Sequence, residues 1–344
     1  MNDFVEDSSG LRSRATPGLT HTRLLTWLDR TGMPPWFLGL GCFITMTLLA
    51  FTMLIVVRIP DPDIYRNAVA FVAVISFFLI FYFRMGRGWH EDLLGFLEFD
   101  SRLQSTLGSL EPGRKIVFLE IILAIACAYV AMNLGDLTED RPPLFWATVS
   151  LFFFMEWATI IFCIDIVIRQ LTALVQIAKI IRIDLLVTDF YASLANAMIR
   201  FVGLYILGLC VITMNLLVFT EGEIGGVQIL IQLMPWYLPG LLLMSLYMIP
   251  YNIFRKRIGV LKALELNRIA EALKGNYELL KDSLVADDAD RLTRIDLLYY
   301  QSLIKSVREW PFTTRVRSLV LFGILPPLTW VLAAFIEILI EGAL

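Results

Sequence analysis

One carboxyl group in the middle of an apolar segment is the residue in this sequence with the clearest chemical potential. Glu156 lies in the run FFFMEWATIIF, twelve residues after the predicted start of a membrane span at residue 144. Charge in hydrocarbon is costly, so such a residue either binds a proton or cation or hydrogen-bonds to a neighbouring helix. Thr213 or Asn215 would be the partner in the second role. The sequence leaves both roles open.

Three further acidic residues lie near the ends of predicted spans. Glu120 and Asp165 lie about one helical turn inside their spans, close in sequence to Lys115 and Arg169. We expect both to pair with these basic neighbours at the membrane interface. Glu337 lies near the outer end of the last span, where it would line an ion pathway or simply reach the interface.

Prolines are concentrated in the last two predicted spans. A proline removes one backbone hydrogen bond, and in lipid the freed carbonyl needs a neighbouring helix or cavity water. The sequence therefore predicts that these two spans bend, either as a gate or as static kinks. The residues are Pro235, Pro239 and Pro250 in the sixth span and Pro326 and Pro327 in the seventh.

Six methionine and aromatic residues in the sixth span could line an apolar pocket for a small lipophilic ligand. They are Met234, Met244, Met248, Trp236, Tyr237 and Tyr247. Methionine and aromatic side chains at such spacings are more often packing residues.

No residue pattern predicts an enzyme, a cofactor or a metal site. His21 and His90 are far from each other and from acidic clusters, and GxSxG, P-loop and HExxH motifs are absent. The four cysteines all lie in apolar runs without a CxxC pair, so neither disulfides nor zinc are expected. They are Cys42, Cys127, Cys163 and Cys210.

The elements that must hold these residues are membrane-spanning helices. Of the 344 residues, 58% are hydrophobic and 18% are charged, which leaves too few polar residues to cover a soluble fold. The net charge of −3 gives no support to a nucleic-acid partner. Seven apolar segments are long enough to span a bilayer. They cover approximately residues 36–57, 67–84, 116–134, 144–168, 201–219, 228–252 and 318–340.

The basic residues predict an orientation. Of the 29 Lys and Arg residues, 26 lie in the N-terminal segment and in three longer stretches, counting Arg84 with the stretch that follows it. The short turns carry the other three. The positive-inside rule then places the N-terminus and the long stretches in the cytoplasm and the C-terminus outside.

These segments predict an all-α polytopic membrane protein with cytoplasmic helical extensions, formed by residues 255–281 and 291–307. The predicted regions are a cytoplasmic segment (1–35), six spans with cytoplasmic stretches 85–115 and 169–200 (36–252), a cytoplasmic helical subdomain (253–317) and the seventh span with a short external tail (318–344). The basic residues Arg255, Lys256 and Arg257 predict contact with anionic membrane lipids.

Two resemblances extend this prediction. The stretch from Arg308 to Phe312, the segment from Leu325 to Trp330 and the residues from Arg182 to Leu186 resemble a group of uncharacterised bacterial multi-span proteins. This resemblance implies a bacterial inner membrane but no activity.

The overall architecture resembles the insect odorant and gustatory receptor superfamily, which are tetrameric ligand-gated cation channels. In that family the seventh helices line the pore and the cytoplasmic helices join the subunits. The family's seventh-helix signature is Thr-Tyr, five apolar residues and Gln-Phe. Here Thr329 and Trp330 are followed by five apolar residues and then by Ile336 and Glu337. The resemblance implies a homo-oligomer whose pore includes Thr329, Trp330 and Glu337.

The sequence therefore leads to three hypotheses. The first is a chemoreceptor-like, oligomeric, ligand-gated cation channel in the cell membrane. The second is a proton-coupled or ion-coupled transporter that uses Glu156. The third is a non-conducting membrane scaffold or sensor. Oligomeric state separates the first from the second, since a pore on a symmetry axis needs several copies.

Overall fold

The protein is a bundle of long helices. The computed structural model describes residues 33–57, 62–100, 102–103, 114–134, 142–186, 190–219, 226–285 and 293–307. No β-strand occurs in these ranges. The helices are α1 (Pro35–Val57), α2 (Pro62–Phe99), α3 (Arg114–Leu134), α4 (Pro143–Ile180), α5 (Phe190–Phe219), α6 (Gly226–Leu273), a short 3₁₀ helix (Tyr277–Asp282) and α7 (Arg294–Ser306).

Within the described ranges, five helices are long enough and apolar enough to cross a membrane. Their apolar segments are Pro35–Val56, Ile64–Leu97, Lys115–Asn133, Pro143–Ile180 and Ser193–Thr213. The predicted sixth span lies within α6, and the predicted seventh span, 318–340, lies outside the described residues. The predicted all-α fold is therefore confirmed for the described part, and the five apolar helices support a membrane protein. The count of seven and the orientation stay predictions.

Contacts between helices define their directions. Cys163 and Gln170 of α4 donate hydrogen bonds to the backbone carbonyls of Phe78 and Met85 of α2, in that order. The helices α2 and α4 therefore run parallel. Tyr247 of α6 hydrogen-bonds to the same Gln170, and Arg257, further along α6, hydrogen-bonds to the Ala178 carbonyl, further along α4. The two helices therefore run parallel. Arg200 meets Gly88 and Ser193 meets Gly95, so α5 runs antiparallel to α2. Each helix direction fits a chain that crosses the membrane repeatedly.

The core lies between α2, α4, α5 and α6. Large side chains such as Trp89, Phe201 and Tyr247 are almost completely buried there. The helices approach closely at glycines, because a Cβ at Gly240 would lie 1.9 Å from the Tyr205 ring. α1 packs on α2 and α4, and α3 packs on α4. Most large apolar side chains of α1 and α3 stay exposed, as expected for helices that face lipid.

The helices α2, α4 and α6 continue beyond their predicted spans at the same end of the bundle, where α5 begins, and we name this end the extended end. It comprises 87–100, 171–186, 190–200, 253–285 and 293–307. Within the predicted stretches 85–115 and 169–200, α2 continues to Phe99 and α4 to Ile180. The sequence favours a helix that extends the fourth span, which α4 confirms, and a short turn just before Arg200, which is wrong because Arg200 lies within α5.

Three helix ends in the extended end have a local cause. Arg257 of α6 caps α4, since its guanidinium donates to the carbonyls of Ala178 (2.7 Å) and Ile181 (2.8 Å). α6 ends at Leu273, where Gly275 adopts a φ of 107° that favours glycine. The predicted amphipathic helix 255–281 thus continues α6 but ends earlier. Thr293 begins α7 with a capping box to Asp296.

Candidate functional site

Glu156 lies on the packed face of α4. Helical residues seven positions apart lie on the same side, and Glu156, Cys163 and Gln170 follow one another at that interval. We name these three residues the polar face of α4. Cys163 and Gln170 are buried, and Phe152, one turn before Glu156, packs against α1 and α2. Glu156 therefore points into the bundle rather than away from it.

The Glu156 carboxyl group is partly buried and makes no hydrogen bond or ion pair with any described residue. Its backbone carbonyl accepts from Thr159 at 2.8 Å, but this bond leaves the carboxyl group unused. The side chain of Asn215, the partner considered from the sequence, lies outside the description. A carboxyl group without a protein partner in an apolar surrounding is able to bind a proton or a small cation.

The other end of the polar face leads into a cluster to which all four core helices contribute. Gln170 of α4 donates to the Met85 carbonyl of α2 at 2.9 Å and accepts from the Tyr247 hydroxyl of α6 at 3.1 Å. Tyr251, one turn further along α6, donates to the Leu194 carbonyl of α5 at 2.6 Å. We name Gln170, Tyr247, Tyr251, Asp92 and Arg200 the central polar cluster.

Asp92 and Arg200 form the charged part of this cluster. Arg200 of α5 donates from Nη1 to Asp92 Oδ2 of α2 at 3.0 Å, and the side chains are 13% and 4% exposed. Gly88 provides the space, since a Cβ there would lie 1.9 Å from the guanidinium carbon. Tyr247 stacks on Phe201, the residue that follows Arg200, and Gln170 bonds to the Met85 carbonyl one turn before Gly88. The ion pair thus sits directly beside the end of the polar face of α4.

A second buried ion cluster joins α3 to α4. Arg169 donates from Nε to Asp165 at 2.9 Å, and its Nη2 lies 2.7 Å from Asp165 and 3.5 Å from Glu120 of α3. The predicted pairing of Glu120 and Asp165 with a basic neighbour is thus observed with Arg169. Ala124 and Ala128 complete this contact as small buried residues.

Outside the apolar segments, Glu265 of α6 holds the extended end together. Its Oε1 accepts from the Leu284 amide at 3.1 Å, from the Tyr300 hydroxyl of α7 at 2.7 Å and from the Ser283 hydroxyl. Its Oε2 accepts from Arg268 at 3.2 Å. Burial, and then the bond to this carboxylate, raise the pKa of Tyr300.

Lys262, one turn before Glu265 on α6, holds the last turn of α7. Its Nζ donates to the carbonyls of Lys305 (2.9 Å) and Val307 (2.8 Å). These carbonyls lack helical partners at a C-terminus, and a cation there also interacts favourably with the helix dipole. We name Lys262, Glu265 and Tyr300 the Glu265 site.

Other predicted site residues fall in different places. α6 runs as one helix through Pro235, Pro239 and Pro250, so none of them ends the helix, and their role in a gate stays a prediction. Met244 and Tyr247 are buried in the core, where Tyr247 stacks on Phe201 at 4.5 Å. Both side chains are therefore packing residues rather than exposed pocket walls. The predicted site residues of the seventh span lie outside the described residues; they are Pro326, Pro327, Thr329, Trp330 and Glu337.

No group of three His, Cys, Asp or Glu side chains within the described residues has a geometry suited to a metal ion. All four cysteines are free.

Sequence reasoning missed the charged pair. Asp92 and Arg200 are 108 residues apart, and each lay in a stretch that the sequence placed outside the membrane. The available signal was the spacing of Gly88, Asp92 and Gly95, which share one side of α2 and predict a close helix approach next to a charge.

The fold and these sites define a helical protein with membrane-spanning segments and with ionisable groups buried inside its core. No family model, no curated protein and no solved structure matches the chain. The proposals below therefore depend on the geometry of the described residues and on the sequence.

Proposed function

We propose that the protein carries protons or another small cation across a membrane, with Glu156 as the binding group. The observation that carries the proposal is the position of Glu156 on the packed face of α4, without a described partner. The extended end faces the cytoplasm in this proposal, because 26 of the 29 Lys and Arg residues belong to that side of the predicted topology.

An unpaired carboxylate in hydrocarbon is destabilising by several kcal/mol unless it is protonated or neutralised. The ion pairs of Asp165 and Asp92 avoid this cost through an arginine partner. Glu156 has no such arginine among the described residues, so a bound proton or cation is the remaining source of neutralisation. A group that needs an exchangeable ion is suited to ion transport.

The polar residues between Glu156 and the extended end support the same function. Cys163, Gln170 and Tyr247 continue from Glu156 towards the extended end as polar groups within an otherwise apolar core. Consecutive members of the polar face of α4 are about 10 Å apart along the helix axis. Movement of an ion between them therefore needs intervening water, which enters when helices separate.

Ion flux into liposomes tests this proposal. The purified protein is reconstituted, and proton, Na⁺ and K⁺ influx are each followed with a trapped indicator dye under an imposed gradient. We expect one of the three fluxes with the wild type and its loss with Glu156→Gln, because the amide cannot ionise. Glu120→Gln is the control, since Glu120 is also a buried carboxyl group but faces Arg169. Undiminished flux with Glu156→Gln contradicts the proposal.

A second candidate is a homo-oligomeric, chemoreceptor-like cation channel, favoured by the outer face of α7. Leu297, Tyr300 and Ile304 bury one side of this helix against α6. On the opposite side, Ile295, Leu298 and Tyr299 are 77%, 54% and 66% exposed. In this proposal a second copy of the chain covers that face, which lies outside any apolar span and shortly before the predicted seventh span.

Oligomeric mass in detergent or nanodiscs tests the second candidate. We expect a tetramer for the wild type and smaller species for Tyr299→Glu, because a charge then lies in the subunit contact. Leu279→Glu is the matched control, as Leu279 is an exposed apolar residue of the 3₁₀ helix on the same end. A monomeric wild type contradicts the channel and fits the transporter. An oligomer without ion flux indicates the scaffold or sensor.

A further inference from the structure

The polar face of α4 ends at the ion pair between α2 and α5. Gln170 is its last member and accepts a hydrogen bond from Tyr247, which stacks on Phe201, the residue after Arg200. Gln170 also donates to the Met85 carbonyl, one turn before Gly88, and the Arg200 guanidinium lies against Gly88. A route from Glu156 along this face towards the extended end therefore arrives at the Asp92–Arg200 pair.

The helices leave little room at this point. The Arg200 guanidinium lies directly against Gly88, and the Ser193 hydroxyl lies against Gly95 two turns further on. The side chains of Asp92 and Arg200 meet in this contact and are 4% and 13% exposed. With the pair formed, the contact excludes solvent from the polar groups behind it.

The same pair is weakly held for a buried charge pair. Among the described residues, the single bond from Arg200 Nη1 to Asp92 Oδ2 is the one hydrogen bond that either side chain makes. Arg169 instead contacts Asp165 through two nitrogens, and Arg257 contacts two carbonyls. A buried ion pair with one bond recovers little of its desolvation cost and is readily exchanged for hydration. It is therefore suited to open and close.

We infer that the Asp92–Arg200 pair is the gate at the extended end of the route to Glu156: it excludes water while formed, and α2 and α5 separate when it breaks. This inference depends on the proposed function, because it assigns a role to a route that starts at Glu156. The titratable groups near the pair are Glu91, which precedes Asp92 on α2, and the neutral tyrosines 247 and 251 on α6, while α4 presents the neutral Gln170.

Cys163 provides a native reporter that does not depend on transport. It is buried on the polar face of α4 and donates to the Phe78 carbonyl at 3.2 Å. In a background with Cys42→Ser, Cys127→Ser and Cys210→Ser, Cys163 is the single thiol. A small cationic methanethiosulfonate, added to vesicles whose extended end faces outward, measures how readily water reaches it.

We expect Asp92→Asn and Arg200→Gln to accelerate modification of Cys163 roughly tenfold, because a broken pair shifts the population towards the open state. Gly88→Ala should do the same without removing a charge, since its Cβ displaces the guanidinium. Arg200→Lys retains the charge and should stay near the wild-type rate. Circular dichroism and gel filtration establish whether each variant is folded. If Asp92→Asn or Arg200→Gln does not fold, Gly88→Ala is the variant that tests the gate.

Asp165→Asn is the matched control, because it breaks the other buried ion pair, which faces α3 rather than the polar face of α4. An unchanged Cys163 rate in folded Asp92→Asn and Gly88→Ala variants overturns the gate. Equal acceleration by Asp165→Asn also overturns it, since the effect is then general loosening. The proposed function fails separately, if Glu156→Gln leaves ion flux intact whatever the thiol rates are.

Discussion

Removal of one hydroxyl group, by Tyr300→Phe, isolates what the Glu265 site contributes to the extended end. The hydroxyl donates to Glu265 Oε1 at 2.7 Å and is the single side-chain hydrogen bond from α7 to this carboxylate. Phenylalanine keeps the aromatic packing against α6, so the substitution removes the hydrogen bond and little else. The expected result is looser attachment of α7 with an unchanged membrane bundle.

The magnitude follows from the partners that remain. Hydrogen bonds to charged groups contribute about 1.5–3 kcal/mol, and Glu265 keeps Ser283, Leu284 and Arg268 as donors. The lower end of that range, about 1.5 kcal/mol, therefore applies. This free energy corresponds to roughly tenfold more frequent opening of α7.

Amide hydrogen exchange of residues 294–306 measures that opening. We expect roughly tenfold faster exchange in α7 for Tyr300→Phe and no change in α2 or α4. Tyr299→Phe is the control, because Tyr299 is the adjacent tyrosine and is 66% exposed on the opposite face. Unchanged exchange with Tyr300→Phe, or the same acceleration with Tyr299→Phe, refutes the role of the Glu265 site.

Three further predictions concern the stability of the bundle, each measured by thermal unfolding in detergent. Gly240→Ala should be destabilising by about 1–3 kcal/mol, because its Cβ meets the Tyr205 ring, whereas Gly203→Ala meets nothing within 4 Å and should be neutral or stabilising. Arg257→Gln should be destabilising by about 2 kcal/mol, as α4 loses both charge-assisted caps; equal stability contradicts the capping role. Hydrogen bonds, first from Arg102, lower the pKa of Asp100 from 3.8 to about 2. The stability that the ionised Asp100 contributes is therefore complete above about pH 4 and is lost as the pH falls towards 2. Because Arg102 is 65% exposed and screened by solvent, this loss of stability is on the order of 1 kcal/mol, and Asp100→Asn should remove the pH dependence.

Apolar runs bounded by charge predicted α1 and α3 almost to the residue. The predicted spans 36–57 and 116–134 compare with Pro35–Val57 and Arg114–Leu134. Both helices face lipid on most sides, so nearly every residue is apolar and the pattern stops where the helix stops.

The lengths of α2 and α4 could not be predicted in the same way. α2 continues past Arg87 because Trp89, Leu93 and Phe96 form a buried face on one side of the helix, while the other side is polar. Beyond the apolar segment such a helix has the alternating composition of a soluble helix. A search for spans therefore ends it too early, whereas the amphipathic pattern of residues 255–281 and 291–307 predicted the helices of the extended end that follow the sixth span.

The candidate site shows the same division between local and long-range information. Glu156 was identified as a candidate site residue from its own segment, because a charged residue among apolar ones is recognisable without the fold. Asp92 and Arg200 become a pair only when α5 lies against α2, and neither residue is unusual in its own segment. Pairing across 108 residues is a property of helix packing, which depends on Gly88 and its neighbours rather than on any local pattern.

The initial rate of ion influx with three different residues at position 156 shows whether this carboxyl group binds the transported ion. Liposomes that contain equal amounts of the wild type, Glu156→Asp or Glu156→Gln are compared under the same imposed gradient. We expect the full rate for Glu156, a reduced but measurable rate for the aspartate that keeps a carboxyl group, and none for the glutamine. A glutamine variant as fast as the wild type would contradict the assignment of Glu156 as the ion-binding group.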